Sequence, residues 1–172
     1  MADKFTLILG DRQLSSWSLR AWLMAKYIGI DFETKFINLS APSAKDEILR
    51  YSSSGKVPAL IHNDLIIWDS LAIAEYFNEL FPTSGLFPRD INSRAIARSV
   101  ISEMHSGFQA IRSSMPFSLS SGLSFIDSNQ LRLEIKRVEE IWLDLRIKAA
   151  DSGEYLFGEF GIADAMFAPV VL

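Results

Sequence analysis

Val57-Pro58-Ala59-Leu60-Ile61-His62-Asn63-Asp64-Leu65-Ile66-Ile67-Trp68-Asp69-Ser70 is the stretch on which the fold turns. Two short apolar runs, 57–61 and 65–68, flank a polar His62-Asn63-Asp64, a spacing that predicts an antiparallel hairpin. Asp69-Ser70 then caps a helix carrying Ile73, Ala74, Phe77 and Leu80 on one face. Working upstream, Phe5 to Leu9 reads as a buried strand ended by Gly10-Asp11. Ser16 to Ile28 reads as a helix, with Leu19, Trp22, Leu23 and Tyr27 at helical spacing and Gly29 as its stop. Phe32 to Leu39 is a second strand, Pro42-Ser43 opens a short helix reaching about Tyr51, and Ser52 to Gly55 is a loop. The order is βαβαββα. Its first two strands, joined through a helix, are parallel and its last two antiparallel, which makes a small mixed α/β sheet covered by helices.

Downstream the strands stop. Residues 81–90 contain Pro82, Gly85 and Pro88 and read as a linker between a domain at 1–80 and an all-helical one at 91–172. Asn92 or Ser93 is the expected cap of a helix bearing Ala97, Val100, Ile101, Met104, Phe108 and Ile111. The Ser-rich stretch from Ser113 to Ser124 reads as a loop. Leu131, Ile135, Val138, Trp142 and Leu145 define the next helix, and Ile162 begins another. The run Ala165 to Leu172 is almost wholly apolar and carries no stop signal. It calls for burial on several sides, and it implies a truncated product, a covering partner, or a partly exposed end.

Composition narrows the function. The chain has 172 residues, a net charge of -4 and no Lys/Arg cluster, which argues against a nucleic-acid surface. It has no cysteine, so a thiol used in its chemistry must come from another molecule. No signal peptide is read at the start, and no run approaches the roughly 20 apolar residues of a membrane span. The expectation is a cytoplasmic protein without metal.

Three local features can carry chemistry. Ser15-Ser16-Trp17-Ser18 lies where the first strand turns into the first helix, where free N–H groups and a serine hydroxyl stabilise a thiolate. Plain capping by Ser16 explains the same residues. At Val57-Pro58 a cis peptide bond would turn the Val57 amide outward to pair with an extended peptide, whereas the bland alternative is a strand that begins with Pro. At Asp69-Ser70 the helix start offers a carboxylate site and the Asp side chain an ammonium site, with capping again the alternative.

Ser at the first helix, Val-Pro before the third strand and Asp-Ser before the third helix occur together, in order. With Ser15 to Trp22, Gly55 to Leu60, Trp68 to Phe77, Ser102 to Arg112 and Gly161 to Val171, they make the chain resemble bacterial cytosolic glutathione transferases bearing Ser-Ser-Trp-Ser-Leu-Arg. More distantly it is similar to the zeta class, the maleylacetoacetate isomerases, whose motif is Ser-Ser-Cys. The resemblance implies a thioredoxin-like N-terminal domain and an all-α C-terminal domain that is incomplete, since relatives continue for several helices. It implies glutathione as co-substrate, small hydrophobic electrophiles as partners, and a homodimer. Ser15 or Ser16 would hydrogen-bond the sulfur. Trp17, Lys56, Val57, Pro58, Asp69, Ser70 and His105 would complete the glutathione contacts, with Val57 pairing by its main chain and Asp69 and Ser70 holding the γ-glutamyl end.

The energy required is modest. Lowering a thiol pKa of about 8.5 by about 2 units takes about 2.7 kcal/mol. A charge-assisted hydrogen bond supplies about 1.5–3 kcal/mol and a helix end about 0.3–1. Two departures qualify the resemblance. Trp17 stands where the zeta class has Cys, which counts against isomerisation of maleylacetoacetate. The capping box reads Gly161-Ile162-Ala163-Asp164 where the family has Ser/Thr-x-x-Asp, so only Asp164 can reach back. Alternatives to a transferase are a glutathione-binding or scaffold protein without turnover, a zeta-like isomerase, and a partner-binding protein of the same fold.

Overall fold

A computed structural model describes residues 4–119 and 126–171. Residues 1–3 and 172, and the second half of the loop expected at Ser113–Ser124, lie outside the described residues. The chain divides into two compact units, Met1–Ser84 and Gly85–Leu172.

In the first unit, β1 (Phe5–Leu9), α1 (Ser16–Ile28), β2 (Phe32–Phe36), α2 (Ala44–Leu49), β3 (Ala59–His62), β4 (Leu65–Trp68) and α3 (Ser70–Leu80) follow in that order. The sheet runs β2-β1-β3-β4. β1 is parallel to β2 and antiparallel to β3, and β4 is antiparallel to β3. Alternation along β1 divides the core. Ile8 joins Ile37, Ala44, Ile48 and Ala59 in one buried cluster built with α2, so Leu7 and Leu9 point to the opposite face. α1 and α3 pack against each other, contributing the buried Ala21, Met24, Ala25, Ile73, Ala74 and Phe77. Burying a side chain as large as Phe77 stabilises by about 1.5–3 kcal/mol before entropy is counted.

Two strands are shorter than the sequence suggests. β2 stops at Phe36 rather than Leu39, because Asn38 and Asp11 take the next main-chain donors: Ser40 N–H donates to Asn38 Oδ1 (3.0 Å) and Leu39 N–H to Asp11 Oδ2 (2.9 Å). β3 begins at Ala59 rather than Val57, since Pro58 has no N–H to give a ladder. The hairpin turn is correspondingly tighter, Asn63-Asp64 alone, with Asn63 at φ 53.

The second unit holds α4 (Ile91–Ser106), α5 (Gln109–Ser114), α6 (Asn129–Lys148) and α7 (Ile162–Val171). The cap of α4 is Asp90, not Asn92 or Ser93: its carboxylate accepts the Ser93 N–H at 2.8 Å. The single helix expected to reach Ile111 is broken at Gly107-Phe108, with Phe108 at φ 60, and Ile111 belongs to α5. On α6 the buried stripe is Leu131, Val138, Ile141 and Leu145. Trp142 is half-buried and meets Phe167 edge-on, with ring centroids 5.9 Å apart.

Arg137 on α6 grips Glu103 on α4 with two bonds, Nε to Oε1 at 2.7 Å and Nη2 to Oε2 at 2.9 Å. The guanidinium holds the Glu103 carboxyl below its ordinary value of 4.5. A lowered acid stabilises the fold above its unfolded pKa and loses that contribution as pH falls through the folded one. Both groups are largely exposed, so screening limits the pair to about 0.5 kcal/mol. Glu103→Gln is expected to lower stability by that amount at pH 7 and to match the parent well below pH 4.5, as read from urea midpoints at each pH.

Candidate functional site

Sheet register brings three of the candidate segments to one end of the first unit. Ile8 pairs with Ala59, and Ala59 with Trp68. The exit of β1 toward Ser15, the entry to β3 at Val57-Pro58 and the exit of β4 into Asp69-Ser70 therefore emerge side by side.

Ser15 is the N-cap of α1 and is buried. Its Oγ accepts the Ser18 N–H at 3.3 Å and donates to Ser18 Oγ at 2.8 Å, and that second oxygen also accepts the Gly10 N–H at 2.8 Å. Ser18 thus fastens the cap to the end of β1. Ser16 is the first residue of the helix proper and is half-buried. Behind them Arg20 is buried, its guanidinium carbon 4.3 Å above the Trp17 ring.

The Val57–Pro58 bond is cis. Among the described residues no hydrogen bond engages the Val57 main chain. Lys56, next to it, is exposed, and its N–H donates to Ser54 Oγ at 3.2 Å. The loop before it turns at Gly55, whose φ of 62 suits glycine.

Asp69 caps α3, accepting the Leu71 N–H at 2.8 Å and the Ala72 N–H at 3.4 Å. Its backbone lies at φ 80, ψ 134, a conformation that costs a non-glycine residue about 1–3 kcal/mol and gathers at ligand sites. Beside it Ser70 is 1% exposed, and its Oγ has no hydrogen-bond partner among the described residues. A buried hydroxyl left unsatisfied costs about 1–3 kcal/mol and calls for an explanation. His105 stands in the last turn of α4, in the second unit, whereas the other candidates all belong to the first. Among the described residues no group of three or more His, Cys, Asp or Glu could hold a metal, and no helix is long and apolar enough to cross a membrane.

A cleft of about 450 Å³ opens at Ser15 and Gly10 and runs between α1 and β2. Its walls include Arg12, Trp22, Lys26, Phe32 and Phe36, none of which stood out as a site residue in the sequence. The sequence carries an alternation Phe32-x-Thr34-x-Phe36, and Trp22 and Lys26 one helical turn apart, but only the fold sets these two segments against each other.

The family model described as the glutathione S-transferase N-terminal domain matches residues 14–80, which contain every first-unit candidate. "Glutathione S-transferase 1" of Dianthus caryophyllus is 30% identical over 165 residues, covering 91% of this chain and 71% of the relative. The maleylacetoacetate isomerase of Rattus norvegicus is 32% identical, covering 93% and 73%. A glutathione transferase homologue from Burkholderia, solved with bound glutathione, superposes with a TM-score of 0.72 at 24% identity, over 98% of this chain and 81% of that one. The sheet order, the helical second unit and these similarities agree, and the chain belongs to the glutathione S-transferase family.

Proposed function

We propose that the chain binds glutathione across the end of the first-unit sheet and that Ser15 activates its thiol for attack on small hydrophobic electrophiles. The observation that carries this is Ser70: a buried, unpartnered hydroxyl beside a strained Asp69 at a helix start suits a carboxylate, such as that of a γ-glutamyl group. The open main chain of Val57 suits the peptide portion, which would pair as an added strand. When bound, glutathione supplies the nucleophilic sulfur that this cysteine-free chain lacks. Ser15 is preferred to Ser16 because its oxygen is already held by the Ser18 N–H. Its hydroxyl can swing from Ser18 Oγ to a thiolate without losing that hold. Trp17, Lys56 and His105 are carried as further contacts on the resemblance alone, and a homodimer on the same ground.

Calorimetry tests the binding half. Glutathione is expected to bind one site per chain, Ser70→Ala to weaken it about tenfold, and the dipeptide Cys-Gly, which lacks the γ-glutamyl group, to be indifferent to that change. Equal effects of Ser70→Ala on both ligands would remove the carboxylate assignment. No heat of binding at millimolar glutathione would remove the reading altogether.

A second reading, glutathione-dependent isomerisation of maleylacetoacetate, is favoured by similarity to the rat isomerase and to the probable isomerase of Caenorhabditis elegans, the latter 30% identical. Trp17 in place of the zeta-class Cys speaks against it. Turnover of maleylacetoacetate faster than of an aryl halide would reverse the preference.

A further inference from the structure

We infer that Ser18 is a positioning residue for the activating hydroxyl: when glutathione binds, the hydrogen bond between Ser15 and Ser18 reverses, and Ser18 directs the Ser15 proton to the sulfur. The inference rests on the glutathione reading above. Ser18 lies in the first turn of α1 and is 4% exposed. Its Oγ accepts two protons, one from the Gly10 N–H and one from the Ser15 hydroxyl, each at 2.8 Å. A hydroxyl has two acceptor sites and one donor. Both acceptor sites of Ser18 are therefore filled, and among the described residues no oxygen accepts the proton Ser18 itself carries. Buried polar groups seldom leave a donor idle.

Ser15 shows the converse pattern. Its Oγ accepts the Ser18 N–H at 3.3 Å and gives its proton to Ser18, which leaves one acceptor site open. A thiolate carries no proton and takes the one on Ser15. Ser18 can then turn its idle proton along the same oxygen–oxygen line into the open site on Ser15. The Gly10 N–H then feeds Ser18 Oγ, the Ser18 O–H feeds Ser15 Oγ, and the Ser15 O–H feeds the sulfur. Two O–H bonds rotate and none breaks. Each bond in such a chain polarises the next, so the last one strengthens. The chain starts from a rigid donor, since the Gly10 N–H belongs to the main chain directly after β1. Gly10 also sits close to the cap: a Cβ on it would come 3.1 Å from the Ser15 Cβ. A ligand with a neutral thioether in place of the thiolate gives the reversal little to act on.

The test is thiolate absorbance titrated against pH in the full chain at saturating glutathione, beside calorimetry with S-methylglutathione. Ser18→Ala should raise the bound thiol pKa by about 0.5 unit and leave S-methylglutathione affinity within about twofold. Ser18→Thr, which keeps the hydroxyl, should return the parent curve. In a Ser15→Ala background Ser18→Ala should add no shift, because the chain acts through Ser15. Should Ser18→Ala not fold, Ser18→Cys, whose thiol donates weakly, should raise the pKa in the same direction. A curve unmoved by Ser18→Ala, an equal loss of S-methylglutathione affinity, or the same shift with Ser15 already removed would each reduce Ser18 to a fastener of the cap. A titration that Ser15→Ala leaves in place removes serine activation and the relay together; one that Ser15→Ala moves and Ser18→Ala does not removes the relay alone.

Discussion

Ser15→Ala is expected to raise the pKa of the bound glutathione thiol by about 1–2 units, because one charge-assisted hydrogen bond worth about 1.5–3 kcal/mol is removed. From a bound pKa of about 6.5, the thiolate fraction at pH 7, and kcat/KM for a generic aryl halide with it, should fall about 3- to 25-fold. The same change deletes the α1 cap, leaving the Ser18 N–H without its oxygen, so it also costs about 1 kcal/mol of stability. Lost activity alone is therefore ambiguous. The discriminating readout is thiolate absorbance titrated against pH at saturating glutathione, which a merely less stable protein would not shift. Ser16→Ala, altering a half-buried residue one position inside the helix, should leave the titration in place. An unmoved curve in Ser15→Ala, or a shift only in Ser16→Ala, would take the activating role away from Ser15.

Asp164→Ala should cost about 3 kcal/mol of stability, a large loss for a polar side chain. Its carboxylate accepts the Gly161 N–H through Oδ2 at 2.9 Å and the Leu156 N–H through Oδ1 at 2.9 Å, tying the start of α7 to the segment before it. Burial pushes the Asp164 carboxyl above its ordinary 3.8, outweighing the N–H donors that pull it down. Asn keeps one acceptor without the cost of a buried charge, so Asp164→Asn should lose only about 1–1.5 kcal/mol. Urea unfolding followed by Trp142 emission reads this, in variants whose Trp17, Trp22 and Trp68, all in the first unit, are replaced by Phe. A loss below about 1 kcal/mol for the alanine variant would mean that water reaches both amides and that Asp164 is no clamp. Gly161 at this cap has a further reason: a Cβ there would come 3.0 Å from the Leu86 carbonyl oxygen, which already accepts the Ile162 N–H at 2.8 Å.

Much of this protein is legible as sequence because its local rules agree with its tertiary ones. Asp69-Ser70 before an apolar helical face, Gly29 after one, and apolar runs separated by His62-Asn63-Asp64 specify caps, stops and turns within a few residues of themselves. Element types and order follow from them. Two boundaries moved where a side-chain group took a main-chain donor: Asp11 reached across to Leu39 and ended β2, and the Asp90 carboxylate started α4 earlier than Asn92 or Ser93 would have; the start of β3 moved because Pro58 has no N–H to give. The break at Gly107-Phe108 escaped because Phe108, with φ 60, is not a residue whose type announces that conformation.

The candidate site divides in the same way. Ser15-Ser16, Val57-Pro58 and Asp69-Ser70 were visible as residue types in the chain, because capping and proline chemistry are local, although the cap of α1 is Ser15 and not Ser16, which is the first residue of the helix. That their ends of β1, β3 and β4 lie together is a matter of strand register, which pairs residues some fifty positions apart, Ile8 with Ala59. The unsatisfied Ser70 hydroxyl and the seating of Arg12 over Phe36 and of Lys26 over Phe32 belong wholly to the tertiary structure. Whether a polar group finds a partner is decided by every atom packed around it, and neighbours in sequence carry no record of that.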